Sequence, residues 1–297
     1  MQFCQPQAVR SHPAKRPPEM HIDVRGDGPP LVLIHGWAMH SGLFGALLDR
    51  LAGHRTLHLV DLPGHGRSRD DASPLQLESC VARIVEQTPS APWLGWSLGG
   101  VFALHAAATR PAHVQALIML CSTPRFVRAD DWPQGMEVAV FRKFAADLQD
   151  DAHAVIERFL ALETLGCERA VAALRALRAE AFQYGEPASA ALAEGLQLLE
   201  TCDMRASLPT LPVPSLWIGA RRDRLVDWRA VAAASAMTPR AQSLRFDTGH
   251  APFLTHADAL ADAVLDFLDA AARTAKQDTF PVRGEPFDGA QDRPVEP

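Results

Sequence analysis

Leu94-Gly95-Trp96-Ser97-Leu98-Gly99-Gly100 contains the pattern Gly-x-Ser-x-Gly, with its serine at position 97. The apolar residues 91–94 before it are typical of a short buried strand, and the Ala-rich residues 101–108 after it are typical of a helix. A strand that turns sharply into a helix holds the serine at a strained position, with its hydroxyl at the carboxyl edge of a sheet. The flanking glycines leave room in a turn where larger side chains would collide. The stretch therefore predicts a nucleophilic serine at residue 97.

Strand and helix patterns alternate on both sides of this stretch. Strands are predicted at residues 31–34, 56–60, 91–94, 114–120, 215–219 and 243–246, with an edge strand at 21–24. Between residues 122 and 205 the alternation stops, and amphipathic Ala- and Leu-rich segments predict helices instead. We therefore predict an α/β fold, with a mostly parallel sheet flanked by helices. Its core consists of residues 20–121 and 206–272, and residues 122–205 form an inserted helical cap.

Composition excludes several classes of function. The chain has 297 residues, 47% of them hydrophobic, which is enough for one large domain, and its formal net charge of −6 argues against a nucleic-acid partner. No apolar run approaches the roughly 18 residues of a membrane span. The five cysteines are scattered without a C-x-x-C pair, which indicates reduced thiols and no zinc site. Neither Gly-x-Gly pair has the third glycine of a dinucleotide-binding loop. We expect a monomeric cytoplasmic protein with no metal, cofactor or membrane partner.

Both ends of the chain differ in composition from the part between them. Residues 1–19 are rich in Pro, Gln and basic side chains and contain no apolar segment of a secretory signal. Residues 273–297 are rich in Pro, Gly and charge, without periodicity. Such segments bury too little apolar surface to offset the entropy of ordering. We therefore predict that both are disordered tails.

A serine hydroxyl becomes a good nucleophile only when a base takes its proton, and a histidine oriented by a carboxylate does this well. Of twelve histidines, His250 follows the last predicted strand and can reach the sheet edge that carries Ser97. Asp223 follows the strand before it, so the chain order is Ser, acid, His, as expected on this type of sheet. Asp227 and Asp247 are the alternative acids. The position of Asp227 suggests a helix cap, and Asp247 is expected to shape the histidine loop.

The negative oxygen that forms during attack by Ser97 requires backbone N–H donors. The residue after the nucleophile, Leu98, is expected to supply one of them. Trp37, in His35-Gly36-Trp37 after the strand at 31–34, is expected to supply the second. An ordinary turn at a strand end is the alternative interpretation of this tripeptide.

Residues 31–268 resemble an α/β-hydrolase with a helical cap. More narrowly, they are similar to the carboxylesterases of biotin synthesis that demethylate pimeloyl-[acyl-carrier protein] methyl ester. The segments that carry the resemblance are residues 33–37, 57–69, 93–100, 157–162 and 250–253. Trp96 and the cap segment 157–162 are the more specific features. The resemblance implies an α/β-hydrolase fold, serine carboxylesterase activity on a carrier-bound ester, and the roles given above for Ser97, Asp223, His250, Trp37 and Leu98. The alternatives are a small-ester or carbon–carbon hydrolase with the same triad, and a non-catalytic small-molecule receptor.

A substrate carried by an acidic acyl-carrier protein would require a basic docking face near the active-site mouth. Acidic residues outnumber basic ones in the cap, so only a local cluster can serve. We hypothesise that Arg158 and Arg175 contact the carrier and that Arg169 and Arg178 add to the field. The alternative is a solvated helix face whose arginines are balanced by neighbouring glutamates.

The composition of the two ends predicts that they are dispensable. Removal of residues 1–19 and of the residues after about 273 should leave the melting temperature and esterase activity unchanged. Thermal denaturation of the trimmed and full chains tests this prediction, and a drop of several degrees would show that a tail docks on the domain.

Overall fold

The computed structural model of the protein describes residues 20–165 and 170–278. Among these residues, seven strands form one sheet. The strands are β1 (Ile22–Arg25), β2 (Pro30–Ile34), β3 (Thr56–Val60), β4 (Ala91–Trp96), β5 (Val114–Leu120), β6 (Ser215–Ala220) and β7 (Ala241–Phe246). Their spatial order is β1-β3-β2-β4-β5-β6-β7. The edge strand β1 pairs antiparallel with β3, and every other pairing is parallel.

The central strands are apolar over almost their whole length because helices cover both faces of a parallel sheet. Residues 31–34 of β2 and 116–120 of β5 are buried. The predicted fold class, a mostly parallel sheet flanked by helices, is confirmed. Because β2 and β4–β7 run in the same direction, the residues that follow them emerge at one edge of the sheet.

The helices of the core lie between successive strands or, for the last helix, after β7. Within the described residues they are α1 (Ala46–Ala52), α2 (Leu77–Gln87), α3 (Leu98–Thr109), α8 (Trp228–Ala236) and α9 (Ala257–Asp278). The helix α3 is apolar on all sides and is buried almost throughout, whereas α2 and α9 each bury one stripe. No helix among the described residues is long and apolar enough to cross a membrane.

Between β5 and β6 the described residues form four helices, which belong to the predicted cap: α4 (Val138–Asp150), α5 (Ala152–Thr164), α6 (Ala170–Ala181) and α7 (Ser189–Thr201). Backbone and side-chain hydrogen bonds attach the start of α7 to loops of the core. The Ala188 N–H donates to the Gly64 carbonyl (2.8 Å), and the Trp37 indole donates to the Leu192 carbonyl (2.8 Å). The cap is therefore attached to the loops that follow β2 and β3.

The last helix differs from the sequence-based expectation of a disordered tail from residue 273. The helix α9 continues to Asp278. Residues 271–278 contain no proline or glycine, so nothing in the sequence ends the helix earlier. Residues 1–19 and 279–297 lie outside the described residues. The C-terminal cut in the trimming experiment therefore belongs after Asp278.

Candidate active site

Ser97 stands between the end of β4 and the start of α3. Its backbone has φ of 54° and ψ of −119°, a region that residues with a side chain rarely adopt. Three hydrogen bonds hold this conformation, one of them from the Gly100 N–H to the Ser97 carbonyl (3.0 Å). The Ser97 N–H donates to the Leu120 carbonyl (3.0 Å), and the Ser122 hydroxyl donates to the Ser97 carbonyl (2.7 Å). Strain that the surroundings maintain in this way is typical of functional positions.

The glycines around Ser97 allow very close backbone contacts. A Cβ at Gly95 would lie 2.3 Å from the Gly99 carbonyl oxygen, and a Cβ at Gly99 would lie 2.3 Å from the Ile34 carbonyl oxygen. Both distances are far below van der Waals contact, and the atoms that would be hit belong to the backbone and cannot move aside cheaply. The turn therefore requires glycine on both sides of the serine.

His250 and Asp223 form a buried pair. The Nδ1–H of His250 donates to Oδ2 of Asp223 at 2.7 Å, and neither side chain is exposed. The other oxygen of Asp223 accepts from the backbone N–H groups of Leu225 (2.8 Å) and Val226 (3.0 Å). Because Nδ1 carries the proton, the lone pair of His250 lies on Nε2. That atom is buried and has no hydrogen-bond partner among the described residues.

The two alternative acids lie elsewhere. Asp227 caps α8, where its side chain accepts from the Arg229 N–H (2.9 Å). Asp247 is exposed and forms ion pairs with Arg221 and Arg222, both at 2.8 Å. Asp223 is thus the acid that contacts His250.

Trp96 links the serine turn to the histidine loop. Its indole N–H donates to the His250 carbonyl (3.0 Å), and its ring lies 5.8 Å from the His250 imidazole. The Phe253 ring packs edge-on against the indole at 4.8 Å. Because Trp96 directly precedes Ser97 in β4, these contacts hold the histidine loop against the nucleophile turn.

The predicted oxyanion donors lie beside the serine. Leu98 is the first residue of α3, so its N–H has no partner within the helix. The loop that carries Trp37 runs close by, because a Cβ at Gly36 would lie 3.2 Å from the Ser97 Cβ. The positive end of a helix suits a developing oxyanion.

A buried histidine supports this loop, and we did not predict its role from the sequence. Nδ1–H of His35 donates to the Gly36 carbonyl (2.7 Å), and its Nε2 accepts from the Leu62 N–H (3.0 Å). Burial lowers the pKa of His35 to about 3, and His65 nearby adds to this effect. The ring is therefore neutral, and its two hydrogen bonds fix the loop after β2 against the backbone at Leu62. The His35-Gly36 motif could have indicated a role for this histidine. The motif alone, however, does not show which backbone groups the ring hydrogen-bonds.

An apolar cavity of about 160 Å³ opens beside Ser97. Cap residues supply most of its wall, and Trp37, Arg224 and Leu225 complete it from the core. The cap residues that line it are Phe126, Met136, Val140, Phe141, Phe144, Phe159, Leu162, Leu196 and Leu199. A cavity with this lining suits an aliphatic chain whose reactive group lies at the serine.

Glu163 of α5 is buried beside the His250–Asp223 pair. Its two carboxyl oxygens have no hydrogen-bond partner among the described residues. The end of α5 packs on the histidine loop, because a Cβ at Gly249 would lie 2.9 Å from the Glu163 carbonyl oxygen. Burial raises the pKa of Glu163 well above the ordinary value of 4.5, and the Asp223 carboxylate raises it further. We therefore infer that Glu163 is a neutral acid.

Cys121, Asp223 and His250 present donor atoms within 4.8 Å of one another. These are metal-ligand side chains, but the aspartate and the histidine are already hydrogen-bonded to each other. Burial raises the pKa of the Cys121 thiol well above 9.0, and Asp223 adds to this effect, so the thiolate that a metal requires is disfavoured. The chemistry of the donors therefore fits an acid–histidine pair better than a metal site.

The four predicted docking arginines differ in their ion pairs, and one of them lies outside the described residues. Arg158 is exposed and forms an ion pair with Asp147 (3.0 Å), and Arg178 forms one with Glu157 (2.5 Å). Arg175 is exposed and has no carboxylate partner among the described residues. Arg169 lies outside the described residues.

A serine at a strand–helix turn, a buried acid–histidine pair and an inserted cap together define a class of protein. The family model for the α/β hydrolase fold matches residues 29–257, and the chain belongs to this family. An esterase from Exiguobacterium antarcticum has the same fold, with a TM-score of 0.76 and 20% identity over 84% of this chain and 95% of its own. An esterase from a Rhodococcus species is 26% identical, with a TM-score of 0.68 over 84% of this chain and 94% of its own.

Sequence relatives are much closer. The pimeloyl-[acyl-carrier protein] methyl ester esterase of Xanthomonas campestris is 56% identical over 252 residues, which are 84% of this chain and 99% of that protein. The protein of the same name from Stenotrophomonas maltophilia is 55% identical over 84% of this chain and 97% of its own length. The resemblance predicted from the sequence is confirmed.

The geometry predicts which side chains ester cleavage requires. Ser97→Ala should abolish cleavage of a short p-nitrophenyl ester and leave the fold intact, because one hydroxyl is lost without loss of packing. Asp223→Asn should lower kcat by about 10⁴, since it misorients the histidine. Asp247→Asn is the matched control, because it alters an exposed carboxylate three residues before His250. Severe loss in Asp247→Asn with an active Asp223→Asn would show that the wrong acid was chosen.

The neutral state of Glu163 predicts a pH-dependent gain in stability for Glu163→Gln. Because the folded pKa is raised, the contribution of this group to stability is complete below pH 4.5. It is lost as the pH rises towards the folded pKa, since only the unfolded chain then ionises. Glutamine does not ionise. The free energy of unfolding of the variant should therefore rise relative to the wild type by up to about 1.4 kcal/mol for each pH unit between 4.5 and the folded pKa.

Urea denaturation between pH 4 and pH 8, a range of roughly four units that begins just below the ordinary carboxyl pKa, measures this difference. Glu180→Gln is the control, because Glu180 is exposed on the neighbouring cap helix. A difference between wild type and Glu163→Gln that does not change with pH would show that Glu163 is ionised in the folded protein.

Proposed function

We propose that this protein is a serine carboxylesterase that hydrolyses the methyl ester of pimeloyl-[acyl-carrier protein] in biotin synthesis. The products are free pimeloyl-[acyl-carrier protein] and methanol. The observation that carries the chemistry is the buried His250–Asp223 pair, joined through Trp96 to the strained turn at Ser97. The names of relatives at 54–56% identity support the choice of substrate.

The reaction uses two acyl-transfer steps. Ser97 Oγ attacks the ester carbonyl while Nε2 of His250 takes its proton, and Asp223 stabilises the resulting imidazolium. The N–H groups of Leu98 and Trp37 stabilise the oxyanion, a contribution of about 10²–10³ in kcat for one donor. His250 then returns the proton to the departing methanol. In the second step His250 activates a water molecule, which releases the acid from Ser97.

The cavity beside Ser97 supports an aliphatic acyl chain. With the ester carbonyl at the serine, the methylene chain lies among the phenylalanines and leucines of the cap. Burial of each methylene contributes about 0.8 kcal/mol. The substrate end that bears the carrier extends towards the opening of the cavity. Carrier-bound acyl groups of this kind are used in the cytoplasm, so we propose that the enzyme acts there, as a monomer.

Complementation tests the physiological assignment. The wild-type chain should restore growth without biotin to a strain that lacks the pimeloyl ester esterase, and Ser97→Ala should not. Turnover of a p-nitrophenyl ester without complementation would favour the small-ester or carbon–carbon hydrolase. Absence of any turnover would favour the receptor.

We further propose that the carrier contacts the outer face of the cap through Arg158 and Arg175, with Arg178 adding to the field. Arg175 supports this proposal because it is exposed and has no carboxylate partner among the described residues. Arg158 and Lys143 share the Asp147 carboxylate (3.0 and 3.2 Å), so this cluster carries more positive than negative charge. Steering by such a face acts mainly on association and weakens with salt. Arg169 remains a prediction.

The docking proposal predicts a substrate-selective defect. The double variant Arg158→Glu/Arg175→Glu should lower kcat/KM for the carrier-bound ester, more strongly at low ionic strength, and should not affect a small soluble ester. Arg50→Glu is the control, because Arg50 is an exposed arginine on α1 of the core. Equal losses on both substrates would mean that the two arginines support the fold of the cap, and no loss on either would reject the docking face.

A further inference from the structure

A basic cleft of about 650 Å³ lies beside the active site. Its walls come from the loop after β6, the start of α8, the end of β7 and the segment that enters the cap. Five arginines line the cleft: Arg128, Arg221, Arg224, Arg229 and Arg245. Its two acidic residues are Asp223, whose carboxylate is buried against His250, and Asp227, which caps α8. In a chain of net charge −6, this is a concentration of positive charge.

The five arginines differ in their partners. Arg128, Arg221 and Arg229 form ion pairs with Glu137, Asp247 and Asp227, respectively. Arg224 and Arg245 have no carboxylate partner among the described residues. The Arg245 guanidinium lies 4.4 Å from the centre of the Trp228 ring, which holds it in place and leaves its N–H groups available. The cleft therefore contains two guanidinium groups whose charge is not matched by a carboxylate.

The cleft and the cavity at Ser97 share walls. Met136, Arg224 and Leu225 line both of them. Arg224 directly follows Asp223 in the chain and is exposed, so it stands where the apolar cavity meets the basic cleft. A ligand whose acyl end lies at the serine can therefore extend past Arg224 and place an anionic group among the arginines.

We propose that this cleft binds the phosphate of the arm on which the acyl group is carried. This inference rests on the proposed function, because an acyl-carrier protein presents its acyl group as a thioester of a phosphopantetheine arm. The arm has an apolar acyl end, an uncharged middle and one phosphodiester, the same order as the cavity, its mouth and the cleft. Guanidinium groups bind phosphate oxygens with two parallel N–H donors and keep their charge at any physiological pH. Arg224 and Arg245 make this contact.

The cleft and the cap face thus recognise different parts of one substrate. The cap arginines act on the surface of the carrier, whereas the cleft acts on the arm. A substrate analogue that contains the arm without the protein separates the two roles, because the cap face has nothing to bind in it.

Isothermal titration of free phosphopantetheine and of unphosphorylated pantetheine into the full-length protein tests the site without turnover. The wild type should bind the phosphorylated arm more tightly, and Arg224→Gln/Arg245→Gln should reduce this preference by about tenfold or more, the usual effect of losing a hydrogen bond between charged groups. Arg158→Gln, in the cap face, should keep the preference. Thermal denaturation verifies that each variant is folded.

Kinetics with the methyl esters of pimeloyl-phosphopantetheine and pimeloyl-pantetheine give the second measurement. The ratio of their kcat/KM values should fall in Arg224→Gln/Arg245→Gln and not in Arg158→Gln. Equal wild-type affinity for the two arms, or an unchanged preference in the double variant, would overturn the proposal. A defect seen only with the intact carrier would overturn it as well and would assign the cleft to the protein surface. Phosphate-dependent binding without turnover of either pimeloyl ester would support the cleft and reject the proposed function.

Discussion

The close approach of α3 to the sheet at Ser97 is the constraint on which the rest of the site depends. The backbone of α3 lies so near the end of β2 that a Cβ at Gly99 would meet the Ile34 carbonyl. This approach forces Ser97 to a positive φ, at a cost of about 1–3 kcal/mol. Hydrogen bonds from Ser97 to Leu120 and from Ser122 to Ser97, together with burial of nearly all of α3, offset that cost. Ser97 is thereby held in the wall of the cavity.

Loops that follow different strands meet at this turn because parallel strands end at one edge of the sheet. The loop after β2 is braced by neutral His35, the loop after β6 holds Asp223 through two backbone N–H groups, and Trp96 holds the loop after β7. The bonds of His35 and Trp96 are buried from water and those to Asp223 are partly buried, and an unmade buried bond would cost about 1–3 kcal/mol. The supports therefore restrict the acid and the base to one geometry.

The cap adds its own side chains to this general site. It supplies most of the apolar wall of the cavity, and the bond between Trp37 and Leu192 joins it to the predicted oxyanion loop. It also places neutral Glu163 beside Asp223, which keeps a second negative charge away from the acid–histidine pair. Outside the cavity, we propose that the arginines of the cap and of the cleft contact different parts of one substrate.

Local patterns in the sequence determined the order of strands and helices, the position of Ser97 and the candidates for its acid and base. Glycine spacing and strand ends carry that information because they reflect the geometry of one turn or one sheet edge. Only the tertiary structure decided that Asp223 contacts His250 while Asp247 binds Arg221 and Arg222 at the surface. It also decided that burial lowers the pKa of His35 to about 3 and raises the pKa of Glu163, and that Arg224 and Arg245, which have no carboxylate partner among the described residues, line one cleft. Burial and charge pairing arise from residues far apart in the chain, so no pattern within a single segment could have shown them.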